Sequence, residues 1–275
     1  MNRYNFATAL FLLILNSCSS IEESSAIVEE SKTIVEKDLV VQIDENEKFI
    51  QYLESDWEKT LLNNPLFASY TGDKRFNDKI NPITIDQFNK DRNLDLESLA
   101  KLNKINPEKL SDDNKLNYNL KKFDIESDLN LSQFPIYYLR LNQRGGIQSF
   151  YETGNRLVYQ SKKDYYDWLS RLEQFSENIL TFLDINKQGL ENGYTQPKLV
   201  TRGVVAQIDA IINSDIESNP YLKVFLQADE NILAPIEKEE LIDKARSLII
   251  NEINPAYEEL NNFLKNDYLI NSRDS

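Results

Sequence analysis

The sequence predicts an all-α protein, mostly helical with few or no strands. Its composition is that of a folded chain, with 41% hydrophobic and 11% aromatic residues in 275. Only 7 glycines and 8 prolines are present, too few for the many tight turns of a β-rich fold. Between residues 165 and 183, apolar residues recur at steps of three and four, which is the spacing of one helix face. These three observations together favour long helices.

Three helices are predicted in the first half of the chain, each behind a capping residue. Asp44 and Thr84 open capping-box patterns, and Ser111 precedes two first-turn acids. The first helix is predicted to end near Pro65, and Pro107 is predicted to break the second. The first helix is expected to place Phe49, Leu53, Trp57 and Leu61 on one face. The second is expected to bury Phe88, Leu96, Leu99 and Leu102, and the third carries Leu116, Leu120, Phe123 and Leu129.

Alternating acids in the third helix resemble a calcium loop without being one. Asp124, Glu126 and Asp128 have the required alternation. However, Leu129 stands where the loop needs its glycine, and Pro135 stands where it needs the bidentate glutamate. We therefore interpret these acids as a solvated helix face.

Residues 135–146 differ in kind, because consecutive apolar residues lead into amides and the only Gly-Gly pair. We expect an extended segment that enters a sharp turn. Its amides and exposed backbone predict one wall of a ligand cleft, formed by Asn142, Gln143, Arg144, Gly145 and Gly146. The alternative interpretation is that the two glycines only satisfy a turn with positive φ.

The second half predicts one long helix followed by shorter ones. Asp164 is expected to cap the long helix, and Gly189 and Gly193 are expected to end it. Pro197 suits the first turn of the next helix, and Pro255 is expected to kink the last one. The stripe of the long helix is typical of a protein core and consists of Tyr165, Trp168, Leu169, Leu172, Phe175, Ile179, Phe182 and Leu183.

The N-terminus predicts a lipid anchor. Arg3 precedes a short apolar run, residues 6–15, and Leu15-Asn16-Ser17-Cys18 resembles the bacterial lipobox. We expect residues 1–17 to be a lipoprotein signal peptide, residues 18–43 an acidic flexible tether and residues 44–275 a helical domain. Acylated Cys18 would attach the protein to a lipid bilayer outside the cytoplasm. Ser19 indicates an outer-membrane position facing the periplasm in a Gram-negative cell. The alternative is an ordinary signal peptide whose cysteine is incidental.

Charge and histidine content exclude several functions. A net charge of -14 disfavours nucleic acid as a partner, because phosphate binding needs clustered Lys and Arg. The sequence has no histidine and one cysteine, so neither a zinc site of the usual kind nor a Ser-His-Asp triad can be assembled. A carboxylate pair or a Lys-Ser dyad survives in principle, but we assign no catalytic residue, no metal ligand and no cofactor in this chain.

Short motifs follow one another in a fixed order along the chain. They are the 65–75 segment with Gly72-Asp73, Leu110-Ser111-x-x-Asn114-x-Leu116-Asn117-Tyr118, Asn142-Gln143-x-Gly145-Gly146, Asp164-Tyr165-x-x-Trp168-Leu169-x-Arg171-Leu172, Gly189-Leu190-x-x-Gly193 with Pro197, and Asn219-Pro220. Their order and spacing resemble those of the bacterial domain-of-unknown-function family 885 (DUF885).

This resemblance implies a large helical fold similar to zinc metallopeptidases about twice this length. In such proteins, a His-Glu-x-x-x-Gly-His-His helix in the second half binds zinc. That helix is missing here, so zinc is expected only in full-length relatives. We expect this chain to be an N-terminal half that is incomplete at its C-terminus and inactive alone. A truncation, a split gene or a fragment would each give this outcome, and a separate C-terminal half would then be a partner.

Two other functions stay open. The chain could be a self-contained helical lipoprotein that binds a peptide or a protein without catalysis. A weaker alternative is a carboxylate-based hydrolase, which needs two acids with separated pKa values in one pocket. With 45 acidic residues, the sequence does not single out such a pair.

Overall fold

The computed structural model describes residues 44–274, and the described helices lie within one compact unit, Glu45–Ser275. Residues 44–274 contain α, 3-10 and π helices and no strand, which confirms the all-α prediction. No helix in this range is long and apolar enough to cross a membrane. The predicted signal peptide and tether, including Cys18, lie outside the described residues.

The first half of the unit contains four α-helices: α1 (Glu45–Asn63), α2 (Pro65–Tyr70), α3 (Ile85–Leu102) and α4 (Asp112–Leu131). Two predicted caps are confirmed. Thr84 Oγ1 accepts the N–H of Gln87 at 3.0 Å, and Ser111 Oγ accepts the N–H of Asn114 at 3.4 Å. Helices α1, α3 and α4 contribute to a small core made of Phe49, Tyr52, Leu102, Ile105, Leu110, Tyr118 and Ile125.

Two predicted apolar faces are only partly buried. On α1, Phe49 and Leu61 are buried, but Trp57 is 46% exposed. On α3, Leu102 is fully buried whereas Leu96 is 43% exposed. Trp57 instead lies at the edge of α1, where its ring contacts the ring of Phe67 edge-on with the centroids 5.7 Å apart.

The outward face of α4 is apolar and solvent-exposed. Leu116, Leu120 and Phe123 are 59%, 54% and 67% exposed, respectively, and follow one another at helical spacing. The buried side of the same helix carries Tyr118 and Ile125. We call Leu116, Leu120 and Phe123 the α4 stripe.

The second half begins with α5 (Tyr151–Arg156), α6 (Lys162–Glu173), α7 (Phe175–Glu191) and α8 (Lys198–Ile212). The single long helix predicted from residue 164 is therefore wrong, because the chain breaks at Gln174 between α6 and α7. Gln174 Nε2 donates to the carbonyl oxygens of Asp78 and Ser170 at 2.8 and 2.7 Å, which ties the break to another part of the chain.

The ends of these helices also differ from the prediction. Ser161, not Asp164, is the N-cap of α6. The Asp164 carboxylate reaches back to accept the Ser161 N–H at 2.8 Å and the Ser161 hydroxyl at 2.9 Å. Gly193, with φ +79°, terminates α7 as expected, but Gly189 lies buried inside that helix.

The last part of the unit is a short α9 (Lys223–Leu226) and a continuous helical segment, residues 235–271. This segment contains α10 (Pro235–Leu248), α11 (Asn254–Phe263) and α12 (Leu269–Asn271), separated by the π turns Ile249–Ile253 and Leu264–Tyr268. Pro255 has no N–H to donate, and the first π turn ends two residues before it. The regular α pattern is thus interrupted where the proline predicts an interruption.

Helices α6 to α11 enclose the large core of the unit. The predicted aromatic stripe is buried there, as expected for a core stripe. Tyr221 and Tyr257 share a 2.7 Å hydroxyl hydrogen bond within it, and the Tyr257 hydroxyl donates to the carbonyl oxygen of Ile147 at 3.0 Å. The deepest side chains of this core include Trp168, Leu172, Phe175, Ile179, Ile208, Tyr221, Phe225, Ile249, Tyr257 and Leu264.

A fully buried arginine attaches the segment after α1 to helix α6. Arg171 Nε donates to the carbonyl oxygen of Lys79 at 2.9 Å, and its Nη2 lies 2.7 Å from Ser69 Oγ. The same Nη2 lies 3.2 Å from the carbonyl oxygens of Pro65 and Phe76. This one side chain therefore fixes the position of residues 65–79, which carry part of the cleft described next.

Candidate functional site

A cleft of about 1040 Å³ lies beside the loop that the sequence singles out. Asn142, Arg144, Gly145 and Gly146 line it. Gln143 instead packs against α8, where a Cβ on Gly203 would meet its Oε1 atom at 2.5 Å. The volume is at the upper end of the range for small-molecule sites, so the cleft has room for an extended ligand.

The segment that leads into this loop is not extended, contrary to the prediction. Residues Ile136–Leu139 form a 3-10 helix, started by the N–H of Ile136 donating to the carbonyl oxygen of Phe134 at 2.8 Å. The aromatic side chains of this helix explain the difference. Tyr138 lies between Tyr137 and Tyr194, with ring centroids 4.5 and 5.6 Å away. A 3-10 turn brings the neighbouring tyrosines into contact, whereas a strand would direct them to opposite sides.

Three glutamine amides hold the backbone of the loop. Gln196 Nε2 donates to the carbonyl oxygen of Leu139. Gln148 Nε2 donates to the carbonyl oxygen of Asn142 at 2.9 Å and to Gln207 Oε1 at 2.8 Å. Gln207 Nε2 donates in turn to the carbonyl oxygen of Gln143 at 3.0 Å. The cleft wall is therefore fixed before any ligand arrives, which reduces the entropic cost of binding.

The two glycines of the loop have different roles, and neither has a positive φ angle. The interpretation that they only satisfy a left-handed turn is therefore wrong. A Cβ on Gly146 would collide with the Asn142 carbonyl oxygen and lie 2.5 Å from Gln148 Oε1. Gly146 is required because the backbone approaches itself closely at this point. A Cβ on Gly145 would meet no atom within 4 Å, so this position has room for a side chain.

The opposite wall comes from the first half of the unit. Phe67 and Tyr70 of α2 line it, and the Tyr70 hydroxyl is 2.8 Å from Thr153 Oγ1 of α5. Asn178 of α7 donates its amide to the carbonyl oxygen of Asn81 at 3.0 Å and accepts the N–H of Ile83 at 3.2 Å. Polar groups around the cleft thus bond mainly to one another and keep its two walls together.

The charged groups of the lining are three arginines and two carboxylates. Arg156 forms a 2.7 Å ion pair with Glu152, and Asp91 accepts the Gln87 amide at 2.8 Å. Arg140 places its guanidinium 4.6 Å from the centre of the Phe88 ring. Burial lowers the pKa of Arg140, and the nearby charge of Asp91 opposes that effect. The sequence did not predict Arg140 as a site residue. A charged residue between two leucines, Leu139 and Leu141, is a pattern that could have indicated it.

Zinc does not fit the donor set of this chain. The whole sequence contains no histidine. Within residues 44–274, no group of three His, Cys, Asp or Glu side chains is placed to hold a metal ion. The two carboxylates of the cleft already bond to a glutamine and an arginine. The lining of this cleft therefore lacks the imidazole and thiolate ligands of a zinc site.

A second, smaller cavity of about 270 Å³ lies between α1, α3 and α4. Ser98 Oγ donates to Asp56 Oδ1 at 2.5 Å and lies 2.7 Å from the Tyr52 hydroxyl. Asp56 is also paired with Lys121 at 2.6 Å. Burial, followed by the charges of Asp128 and other acids, raises the pKa of Asp95 to about 6. Tyr52, Ser98, Asp56 and Lys121 thus form a continuous chain of contacts, and Asp95 lines the same cavity.

Known proteins place the chain in a family. A search of curated proteins gave no significant match. A crystal structure from Colwellia psychrerythraea, described as a candidate lipoprotein, matches with a TM-score of 0.66 and 15% sequence identity. The match covers 84% of this chain and 42% of the other, so the chain spans less than half the length of that relative. At this identity the likeness shows a shared helical fold. The profile of the family described as "Bacterial protein of unknown function (DUF885)" matches residues 65–275, and the chain therefore belongs to the DUF885 family.

Proposed function

We propose that this chain is the ligand-holding, non-catalytic part of a peptidase-like lipoprotein and that its cleft binds a peptide in an extended form. The observation that carries the proposal is the pre-formed cleft itself, whose wall at residues 139–146 is held by three glutamine amides. Phe67, Phe88 and Phe150 offer apolar surface in it, while the free Nδ2 of Asn142 offers a donor. This mixture suits a peptide, which presents side chains and amides alternately.

Filling the cleft tests this proposal. Gly145 lines the cleft and faces open space, so Gly145→Trp adds a bulky side chain there without an internal clash. Ile236 is 74% exposed and outside the lining, so Ile236→Trp is a matched control. The purified chain is incubated with a randomised pentapeptide pool, and retained peptides are measured by mass spectrometry after ultrafiltration. We expect retention by the parent and the control, and at least about tenfold less by Gly145→Trp. Equal retention by all three, or none by the parent, contradicts the proposal.

The absence of catalysis is tested separately. With no histidine and one cysteine in the sequence, we expect the purified chain to keep no stoichiometric zinc after dialysis. Elemental analysis and a peptidase assay with and without a chelator provide the measurement. Tight zinc binding together with chelator-sensitive activity would show that the chain is an enzyme by itself.

The lipid anchor is proposed from the sequence motif and from the description of the solved relative as a candidate lipoprotein. Cys18 would carry the lipid, and Ser19 would allow sorting to the outer membrane. Mass spectrometry of the mature N-terminal peptide tests this directly. We expect a mass increase from the diacylglyceryl and acyl groups on Cys18, and a soluble protein from Cys18→Ser. An unmodified cysteine in the mature protein contradicts the anchor.

A second candidate is that the chain works alone as a peptide-binding or protein-binding lipoprotein. Against it stand two observations. The α4 stripe leaves three large apolar side chains at least half exposed, and the chain covers 42% of its solved relative. Both favour association with a complementary helical half. Native mass spectrometry of the chain purified from its own cells distinguishes the two: a stable complex supports the first, a monomer the second.

A further inference from the structure

We propose that Arg140 and Arg144 form an anion-binding subsite in the cleft, and that this subsite binds the C-terminal carboxylate of the bound peptide. Both residues line the cleft, and both side chains are accessible from it. The inference rests on the proposed peptide-binding function and states how the peptide would be oriented.

The first observation is that neither guanidinium has an acidic partner within bonding distance. Among residues 44–274, no ion pair or side-chain hydrogen bond engages Arg140 or Arg144. Arg156, the third arginine of the lining, is instead neutralised by Glu152 at 2.7 Å. Two of the three arginines therefore have donors available for a ligand, and a guanidinium can bind a carboxylate through two parallel hydrogen bonds.

The second observation is the charge of the surroundings. The sequence has 45 acidic and 31 basic residues, yet the lining of the cleft has more arginines than carboxylates. A net charge of -14 does not attract anions from a distance, so an anion has to be held by local contacts. Two arginines without an acidic partner in the cleft of such an acidic protein are best explained by an acidic group that belongs to the ligand.

The third observation is that the backbone carrying both arginines is fixed. Arg140 directly follows the 3-10 helix Ile136–Leu139, and the Arg144 N–H donates to Asn142 Oδ1 at 2.9 Å. Arg140 is also placed over the Phe88 ring, which limits the motion of its side chain. The subsite is thus assembled before the ligand binds.

Peptide pools that differ only in charge test the proposal. One randomised pentapeptide pool has free C-terminal carboxylates, a second has C-terminal carboxamides, and a third has carboxamides with one fixed glutamate. Retention by the purified full chain is measured for each pool at low salt and at 0.5 M NaCl. We expect the free-acid pool to be retained about tenfold better than the carboxamide pool, with the preference weakened by salt. Better retention of the glutamate pool than of the free-acid pool would assign the subsite to an acidic side chain of the peptide.

Arginine variants provide the matched comparison. In Arg140→Gln/Arg144→Gln, the two guanidinium groups are replaced by neutral amides, and the preference for the free acid is expected to fall to about one. Arg202→Gln removes the same type of charge from an exposed position on α8 outside the lining, and should keep the preference. A circular dichroism spectrum identical to that of the parent shows that the double variant is folded.

The outcomes separate the two proposals. Equal retention of the charged and neutral pools by the parent, or an unchanged preference in the double variant, overturns the anion subsite while peptide binding stands. Retention of none of the pools by the parent overturns the peptide-binding function, and the subsite with it.

Discussion

Replacement of Arg171 tests whether one buried side chain fixes residues 65–79, which form the wall of the cleft opposite the Gly-Gly loop. Arg171 is fully buried, and its guanidinium bonds to three carbonyl oxygens and one hydroxyl of residues 65–79. Burial lowers its pKa to about 10, so it remains charged at neutral pH. Arg171→Met keeps much of the apolar stem and removes every one of these donors.

The magnitude follows from the four hydrogen bonds that are lost. A hydrogen bond to a charged group contributes about 1.5–3 kcal/mol, but the Pro65 and Phe76 carbonyl oxygens and the Ser69 hydroxyl keep other partners, so about 1 kcal/mol for each of the four bonds is a reasonable value. We therefore expect Arg171→Met to lower the free energy of unfolding by about 4 kcal/mol. Residues 65–79 carry Phe67 and Tyr70, so the same change should also reduce peptide retention.

Urea unfolding followed by circular dichroism measures the effect. The control is Arg156→Met, the same substitution at an exposed arginine with one ion pair to Glu152, which should cost less than about 1 kcal/mol. A loss for Arg171→Met no larger than that of the control would refute the reasoning. It would show that the buried hydrogen bonds are replaced without cost by a well-packed apolar side chain.

For three further substitutions, the structure determines whether the free energy of unfolding rises or falls. The pKa of Asp95 is raised to about 6 in the folded protein. The protonated side chain therefore contributes fully to stability below the pKa that Asp95 has in the unfolded chain, and this contribution is lost as the pH rises through 6. Asp95→Asn should therefore be more stable than the parent by about 1 kcal/mol at pH 8, after allowance for solvent screening, and equal to it near pH 3.5 in urea titrations. Gly154→Ala would place a Cβ 2.5 Å from the Trp168 ring and should cost about 1–3 kcal/mol, whereas Gly145→Ala should stay within about 0.5 kcal/mol by thermal unfolding. Asp164→Asn weakens the N-terminal cap of α6 and should lower the free energy of unfolding by about 1–2 kcal/mol at pH 7. Burial raises the pKa of Asp164, but its hydrogen bonds outweigh burial and hold that pKa below its usual range. The difference between the variant and the parent should therefore be smaller at pH 2.

The local signals in the sequence predicted much of the fold. Thr84 and Ser111 cap their helices because capping involves residues only three positions apart. The stripe around Trp168 is core because its spacing leaves one continuous apolar face. The Gly-Gly pair drew attention to a loop that lines a cleft, since glycine is often required where a backbone approaches another group closely.

The parts that the sequence did not predict depend on distant contacts or on symmetrical patterns. Helix α4 is apolar on two opposite sides, so periodicity alone does not tell whether Leu116 or Tyr118 faces the core. The loop is held by Gln148 and Gln207, of which Gln207 is 64 positions beyond its acceptor Gln143. Arg171 bonds to carbonyl oxygens about 100 positions earlier. Every residue has a carbonyl oxygen, so the sequence does not indicate which ones accept a hydrogen bond.

The separation of the unit into a small and a large core has an energetic consequence. The small core contains seven buried residues from the first half of the chain, whereas the large core contains 29. Helix α3 is expected to open and close more often than α7, since fewer buried contacts mean a lower free energy of local opening. Phe88, which contacts Arg140, lies at the start of α3. If the cleft binds a peptide as proposed, the bound peptide should slow amide exchange throughout α3, and mutations that weaken the small core should lower the affinity for the peptide from a distance.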